Sequence, residues 1–372
     1  MSETDNMNVT VSPSQAFDLL VQCMLVKKPA MLWGPPGIGK SDLIQQIGNA
    51  SNRPVIDLRL ILMDPTDIKG IPYYNPETKQ VRWQVSSELP REGTSMENAI
   101  LFLDEINSAP QSVQGAAYQL ILNRKIGEYQ LPAGVDIVAA GNRETDRGVV
   151  YKMPSALANR FVHFELAHSV EDWKKWAIGA QINPLIVGFI AAHPQFLFEF
   201  DPKRNERVFA TPRMWHYLST LMQGVDPLSE KFFFLANGTV GRGKATEFQA
   251  HVKLYDVLPN PQDILSGKTK RVKDMEPSVA YSLVLSLANM IADLYKAIPS
   301  DVEDKEATKE YKAFKFALEN AIIFCMDNTE EELLIFAMRT IVIDFNVKIK
   351  ATKMTFFKEF ARRFDHLLEY IK

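Results

Sequence analysis

One eight-residue segment has the composition of a loop that binds phosphate. Gly34 to Ser41 reads GPPGIGKS, which places its glycines and a Lys-Ser pair at the GxxxxGK[ST] spacing. In such a loop, backbone N–H groups turn toward the phosphates and the following helix directs its positive dipole end at the same charge. The residues predicted to bind nucleotide are Gly34, Pro35, Pro36, Gly37, Ile38, Gly39, Lys40, Ser41 and Asp42.

A pair of acids follows a buried strand some sixty residues later. Ile100 to Glu105 reads ILFLDE, so two carboxylates stand at the carboxyl edge of an apolar strand. We expect Lys40 to reach the β and γ phosphates, and Ser41 and Asp104 to hold Mg²⁺. Glu105 would then orient or deprotonate the water that attacks the γ phosphate.

Three further polar residues admit both a structural and a functional interpretation. Asn142 ends an apolar run, either as a turn residue or as a contact to the γ phosphate or the attacking water. Arg160 either caps its own helix or reaches the nucleotide of a neighbouring subunit. Arg213 stands at a predicted helix start, either as a surface charge or as a second arginine closing on the phosphates. Spacing alone leaves these alternatives open.

Five short apolar runs predict the strands that would position these residues. The runs are continuous rather than alternating, which is typical of a parallel sheet covered on both faces. A helix from Ser12 to about Val26, opened by a capping box, precedes the first run. The five runs are Ala30 to Trp33, Val55 to Leu58, Ala99 to Leu103, Val135 to Ala140 and Phe161 to Leu166.

Two segments interrupt the alternation of strands and helices. Asp64 to Pro90 is rich in Pro, Gly and Tyr and is too long for a plain connection, so we interpret it as a functional insertion. Asn123 to Gly134 has Gly127 between short polar and aromatic stretches, which predicts a small hairpin.

From Ser169 onward, helical periodicity replaces the strand signals. This predicts a domain boundary near residue 168, after an α/β domain at residues 1–168. A capping box at Thr329 to Glu332 predicts a helix start. Near the chain end, Thr355 to Ile371 spaces its aromatic and aliphatic residues on one helical face.

Composition narrows the class of protein and its location. The 372 residues carry 42 basic and 45 acidic side chains, a net charge of -3, which lacks the basic excess that drives adhesion to nucleic acid. Cys23 and Cys325 show no metal-ligand spacing, and the N-terminus lacks a secretory pattern. Polar residues interrupt the apolar stretch Val279 to Ile298, which favours a buried helix over a membrane span. We therefore expect a cytoplasmic protein without a membrane partner.

Taken together and in order, the motifs resemble the MoxR branch of the AAA+ ATPases over roughly residues 10 to 260. Besides the phosphate loop, the likeness is carried by PTDIKGIP at 65–72, AAGNRETDRGVVYKMPSALANRFVHFEL at 139–166 and TPRMW at 211–215. These stretches are similar to a bacterial and phage subgroup. By that resemblance, Asn142 corresponds to the sensor 1 residue, Arg160 to the arginine finger and Arg213 to the sensor 2 arginine.

The resemblance also implies an architecture. It comprises a P-loop core with five parallel strands, an all-α lid at 169–260 and an α-helical C-terminal extension at 261–372. Subunits would form a ring, commonly a hexamer, with ATP and Mg²⁺ bound between them. The insertion and the hairpin would face the working surface of the ring. Tyr73, Tyr74 and Trp83 are then candidates either for partner contact or for packing within the insertion.

Members of the subgroup are often encoded beside a protein with a von Willebrand A-like or metallopeptidase-like domain. The leading hypothesis is therefore an ATP-hydrolysing ring that remodels or activates such a partner in a chaperone-like manner. The alternative is a motor acting on nucleic acid or in a restriction or defence complex, and the net charge of -3 counts against it. A third hypothesis is a nucleotide-gated scaffold without turnover, and the presence of Glu105 and Arg160 argues against that.

Overall fold

The computed structural model describes residues 9–146, 151, 153–204, 206–272, 275–299, 305–349 and 354–364. The chain divides into two compact units. The α/β unit comprises Met1–Ser169 with Phe200–Glu206, and the helical unit comprises Val170–Glu199 with Arg207–Lys372. The helical unit thus contains the segment predicted as a C-terminal extension and the segment predicted as a lid, except for Ser169 and Phe200–Glu206.

The α/β unit is built on a parallel sheet with the strand order β1-β10-β2-β9-β6-β3. Two antiparallel hairpins, β4-β5 and β7-β8, lie outside that sheet. In chain order the strands are β1 (Thr10–Val11), β2 (Ala30–Trp33), β3 (Val55–Arg59), β4 (Ile71–Asn75), β5 (Gln80–Gln84), β6 (Ile100–Asp104), β7 (Lys125–Ile126), β8 (Tyr129–Gln130), β9 (Asp136–Gly141) and β10 (Val162–Leu166).

The five predicted strands are confirmed as β2, β3, β6, β9 and β10. Every residue of β6 and β9 is buried, as expected for central strands covered on both faces. A sixth strand, β1, extends the sheet by pairing with β10, and the sequence did not predict it. Two residues are too few to show a periodicity, so pairing rather than pattern defines this strand.

The register of the central strands brings their carboxyl ends to one edge. Trp33 pairs with Gly141, and Leu103 pairs with Ala139. The residues that follow β2, β6 and β9 therefore emerge side by side, which is where ligands bind in open parallel sheets.

The helices of the α/β unit follow from local capping chemistry. The predicted capping box is confirmed: Gln15 N donates to Ser12 Oγ at 3.3 Å, and Ser12 N donates to Gln15 Oε1 at 3.0 Å. Pro13 occupies the first helical turn, where its missing N–H costs nothing. These helices are α1 (Pro13–Leu25), α2 (Lys40–Ala50), α3 (Pro65–Lys69), α4 (Gln111–Asn123) and α5 (Ser155–Ala158).

The segment 64–90 forms α3 followed by the β4-β5 hairpin, and the hairpin predicted at 123–134 is confirmed as β7-β8. Gly70 joins α3 to β4 with φ +88, and a Cβ there would overlap the backbone of Gln84. Only glycine fits at this point. Tyr73, Tyr74 and Trp83 of the β4-β5 hairpin are 43%, 61% and 44% exposed.

The helical unit has an aromatic core in which Phe189, Trp215 and Phe248 contact one another. The helix Pro277–Lys296 is long and apolar enough to cross a membrane by length and composition, yet 56% of that stretch is buried in the protein, as in a core helix. The helices are α6 (Val170–Gly179), α7 (Pro184–Ala192), α8 (Pro212–Leu221), α9 (Glu230–Val240), α10 (Arg242–Asp256), α11 (Pro261–Leu265), α12 (Pro277–Lys296), α13 (Lys309–Asn328), α14 (Glu331–Arg339) and α15 (Phe357–Arg363).

Two predictions about the end of the chain meet different outcomes. The helix predicted to start at Thr329 to Glu332 is confirmed as α14, but its capping box is wrong, because Glu330 is the N-cap and Thr329 Oγ1 donates to Cys325 O at 2.7 Å. Thr329 directly follows α13, whose last carbonyl groups lack partners within the helix. Its hydroxyl therefore donates to one of them and does not cap α14. Farther on, Phe356 and Phe360 are buried as the helical face predicts, whereas Leu367, Leu368 and Ile371 lie outside the described residues.

Candidate active site

The glycine loop between β2 and α2 depends on backbone conformations that favour glycine. Gly37 has φ +76 and Gly39 has φ +106, both in the left-handed region. Gly39 is also the N-cap of α2. The turn therefore leads directly into the helix and places Lys40 and Ser41 in its first turn, where backbone N–H groups remain available to an anion.

Lys40 connects the loop to the end of β9. Its Nζ donates to Gly34 O at 2.6 Å, to Pro35 O at 3.1 Å and to Asn142 Oδ1 at 3.1 Å. The side chain is 9% exposed, so a buried cation is held in place by oxygen atoms. Lys40 and Asn142, 102 positions apart in sequence, thus meet directly.

Ser41 makes the corresponding connection to the end of β6. Its Oγ donates to Asp104 Oδ2 at 3.0 Å, and Asp104 Oδ1 accepts from Glu105 N at 2.9 Å. The Asp104 residue is 8% exposed. The loop and the acidic pair therefore converge at one edge of the sheet, and Lys40, Ser41, Asp104 and Asn142 form one cluster, which we call the loop-edge cluster.

Glu105 stands in an unusual conformation beside this cluster. Its φ of +55 lies in the left-handed region, which costs a non-glycine residue free energy and is typical of functional sites.

Burial raises the pKa of the neighbouring Asp57 carboxyl, and the negative charge of Asp104 adds to that rise, while Arg59 opposes it. The charge of Asp104 thus acts on a second carboxyl group, which lies on the strand paired with β6.

Asn107 is a site residue that the sequence reasoning missed. It is 1% exposed, and it holds both main-chain groups of Asn142: its Oδ1 accepts from Asn142 N at 3.2 Å, and its Nδ2 donates to Asn142 O at 2.7 Å. A Cβ at Gly141 would overlap the Asn107 side chain. A polar residue directly after the ILFLDEI run was the available signal.

A second missed group anchors the segment that follows Asn142. Arg143 Nε and Nη2 bond the Asp146 carboxylate at 2.9–3.2 Å, and Nη1 donates to Glu165 Oε1 at 2.7 Å. The hydrogen bonds that Arg143 donates to the Asp146 carboxylate raise the pKa of its guanidinium most, and the bond that it donates to Glu165 adds to the rise, while burial opposes it. The network ties this segment to β10.

The remaining predicted residues lie outside the loop-edge cluster. Asp42 is exposed in the first turn of α2, and Arg160 is exposed in the turn between α5 and β10. Arg213 is exposed in the first turn of α8, in the helical unit. There Thr211 Oγ1 caps the helix by accepting from Met214 N at 3.2 Å.

The donor set of the loop-edge cluster fits a magnesium triphosphate. A buried ammonium and a helix N-terminus suit phosphate oxygens. A serine hydroxyl and a carboxylate within 3.0 Å of each other are the hard oxygen ligands that Mg²⁺ prefers.

Residues 29–161 match the family model of the AAA domain, dynein-related subfamily. The matched range contains the whole loop-edge cluster together with Glu105, Asn107 and Arg160. Residues 29–161 are therefore similar to an AAA domain, and the chain is a P-loop ATPase.

Three solved structures that match this chain share little sequence with it. A candidate ATPase from Cytophaga hutchinsonii has 13% identity and a TM-score of 0.33, with 98% of this chain and 91% of that chain covered. Two mutants of Thermotoga maritima RuvB have 17% and 16% identity and TM-scores of 0.36 and 0.37. They cover 68% and 82% of this chain and 73% and 86% of their own. Likenesses this distant carry no argument about activity or partners.

Proposed function

We propose that this ATPase assembles into a MoxR-type ring whose cycle of ATP binding and hydrolysis remodels or activates a partner protein. The observation that carries the proposal is the loop-edge cluster, in which Lys40 meets Asn142 and Ser41 meets Asp104. This arrangement supplies both the cation for a γ phosphate and the oxygen ligands for a metal at one point.

In this proposal each residue has a defined task in hydrolysis. Lys40 and the loop N–H groups hold the phosphates, and Asn142 orients the attacking water. Ser41 and Asp104 would hold Mg²⁺, which neutralises phosphate charge when bound. As the water oxygen bonds to the γ phosphorus and the bond to the bridging oxygen breaks, Glu105 accepts the proton of the water. The products are ADP and phosphate.

The ring is supported by the position of the arginines. AAA+ proteins commonly form oligomeric rings. Arg160 is exposed rather than turned into the loop-edge cluster, so it is available to the nucleotide of a neighbouring subunit, where it would stabilise transition-state charge. Arg213 would be the second arginine, supplied by the helical unit.

A protein client is supported by the β4-β5 hairpin. Its three exposed aromatic side chains, Tyr73, Tyr74 and Trp83, are of the type that protein interfaces favour. A partner with a von Willebrand A-like or metallopeptidase-like domain is the client that the sequence resemblance implies. The nucleic-acid alternative is disfavoured by the net charge of -3.

The test is the Glu105→Gln variant of the full chain, with Glu88→Gln as a control because Glu88 is exposed in the same unit. We expect kcat to fall by about 10²- to 10⁴-fold, since a general base is lost, while the Kd for ATP stays within about twofold. Mass photometry with ATP should then show an assembled ring. Unchanged steady-state turnover would refute the role of Glu105.

The same variant separates the two functions. Trapped in its ATP state, it should retain a protein partner during affinity capture. If duplex DNA at low salt instead stimulates the wild-type ATPase severalfold and no protein is retained, the nucleic-acid motor becomes the better description.

A further inference from the structure

His163 on β10 connects two segments of the α/β unit that are far apart in sequence. Trp33 Nε1 lies 2.9 Å from His163 Nδ1, and His163 Nε2 lies 2.8 Å from Ala158 O. An indole N–H can only donate, so Nδ1 must be the acceptor. The ring proton therefore sits on Nε2 and is donated to the Ala158 carbonyl. Trp33 thus selects one neutral tautomer of the imidazole.

The two ends of this chain of hydrogen bonds are the start of the nucleotide loop and the turn that carries Arg160. Trp33 immediately precedes Gly34, whose carbonyl accepts from Lys40. Ala158 is the last residue of α5, and its carbonyl also accepts from Phe161 N at 3.1 Å. Arg160 stands between these two residues. The Ala158 carbonyl is therefore a fixed point of the turn that presents the arginine.

Packing holds the imidazole in this orientation. The rings of Trp33 and His163 lie nearly parallel, with 13° between planes and 6.0 Å between centroids, which suits the hydrogen bond between their edges. Phe161 meets the imidazole edge-on at 6.2 Å. His163 also pairs with Met31 of β2 in the sheet register, so its backbone is fixed as well. With both ring nitrogens hydrogen-bonded and Phe161 against one side, the imidazole has little freedom to move.

We propose that His163 is a positioning residue for ATP hydrolysis: through Ala158 it sets the turn of Arg160, and through Trp33 it couples that turn to the nucleotide loop. The inference rests on the proposed role of Arg160. A change in the loop on binding ATP reaches Trp33 first, then the imidazole, then the turn. One subunit's nucleotide state would thereby adjust the arginine that it offers to its neighbour.

Two substitutions separate the two hydrogen bonds. The amide nitrogen of glutamine takes the place of the histidine Nε2, and the amide oxygen of asparagine takes the place of Nδ1. His163→Gln therefore keeps the donor to Ala158, His163→Asn keeps the acceptor for Trp33, and His163→Phe keeps neither. His216→Phe serves as a control, because His216 is an exposed histidine of the helical unit.

We expect His163→Phe to lower kcat by roughly tenfold to a hundredfold, the effect of a displaced catalytic group, with the Kd for a fluorescent ATP analogue changed by less than about twofold. His163→Gln should recover most of kcat, and His163→Asn should recover little. A nucleotide Kd near the wild-type value also establishes that a variant is folded. Should His163→Phe fail to fold, the contrast between the two amide variants decides the question.

A double variant shows whether His163 acts through Arg160. If it does, Arg160→Ala combined with His163→Phe should be no slower than Arg160→Ala alone, because the group being positioned is already gone. Losses in kcat that multiply would overturn the inference. The comparison gives the same answer whether Arg160 acts on the nucleotide of its own subunit or on that of a neighbour.

Mixed rings test the inference and the proposed function separately. A Lys40→Ala subunit lacks turnover but offers an intact Arg160 and His163 to its neighbour. Mixing it with Arg160→Ala should restore activity if the arginine acts across subunits, and mixing it with His163→Phe should do the same. Rescue of Arg160→Ala without rescue of His163→Phe would sink the positioning role alone. Rescue of neither variant would contradict the ring mechanism. The double variant would then decide whether His163 acts through Arg160.

Discussion

The two units of this protein bury different kinds of polar side chain. Among the described residues, the buried charged ones all belong to the α/β unit: Lys40, Asp104, Asp136 and Asp146. The buried polar residues of the helical unit are neutral or, in one case, a histidine: Thr211, Thr239, His251, Ser282 and Thr340. Because burying a charge is costly unless it is paired, the α/β unit tolerates a cost that the helical unit avoids.

Burial of charge is informative only together with what surrounds it. Asp136 lies at the amino end of β9, where Lys27 and Arg53 neutralise it at 3.1 Å and 2.6 Å. Asp104, at the carboxyl end of β6, is approached by a hydroxyl and a backbone N–H instead. Two basic side chains balance the negative charge of Asp136. The groups that bond Asp104 are uncharged, so a bound metal ion could balance its charge. This contrast separates a structural acid from a candidate metal ligand.

The largest effect should come from removing the buried cation of the loop-edge cluster. Lys40→Met should reduce ATP turnover by about 10³-fold, because a preorganised donor to the phosphates is lost. The midpoint of thermal unfolding should stay near that of the wild type, since a methionine of similar length replaces a buried charge. Lys28→Met, at an exposed lysine of the same unit, should leave both properties unchanged. A large loss of stability without loss of turnover would reverse the comparison between the units.

The next effect concerns the buried histidine of the helical unit. Burial, with a smaller contribution from His193, lowers the pKa of His251 from 6.5 to about 4. In the unfolded chain His251 therefore takes up a proton as the pH falls below 6.5, whereas in the folded chain it stays neutral until about pH 4. Stability should be fully present above pH 6.5 and fall by about 3 kcal/mol as the pH drops to 4.

The measurement is chemical denaturation of wild type and His251→Gln across this pH range. Glutamine can keep the 3.0 Å hydrogen bond that Nε2 makes to Ser282 Oγ but cannot titrate. The variant should show a shallower loss of stability than the wild type, while His216→Gln should behave as the wild type does. Identical profiles for His251→Gln and wild type would show that the histidine is not the acid-sensitive group.

The smallest effect compares two glycines in helices of the helical unit. A Cβ on Gly188 of α7 would overlap Ser282, including its backbone, whereas a Cβ on exposed Gly238 of α9 would meet open space. Gly188→Ala should lower the free energy of unfolding by about 1–3 kcal/mol, and Gly238→Ala should raise it by about 0.5–1 kcal/mol. Denaturant midpoints of both variants provide the check. Equal shifts would mean that close packing does not dominate this unit.

The parts of the fold that were predictable are those in which one short segment carries its own signal. The glycine loop, the ILFLDE strand end and the Ser12 capping box each contain the residues that determine their structure. Asn107 and Arg143 could not be assigned in this way, because their roles depend on partners that the sheet brings to them. Thr329 shows the same limit, since the end of α13 and not the start of α14 decides its hydrogen bond.

The loop-edge cluster was predictable for a related reason. Parallel strands bring their carboxyl ends to one edge, so acids and amides that end apolar runs are expected to meet. This rule predicts that Asp104, Asn142 and the glycine loop lie close together. It does not extend to Arg160 or Arg213, which are exposed and lie outside the loop-edge cluster.

The grip of Asn107 on Asn142 has an evolutionary consequence. Asn107 binds the main-chain N–H and C=O of residue 142, which every amino acid except proline provides. These two bonds fix the backbone of residue 142, and they do not depend on the side chain at that position. Selection can exchange that side chain to retune the chemistry without rebuilding the scaffold, provided that the asparagine two residues after Glu105 is retained.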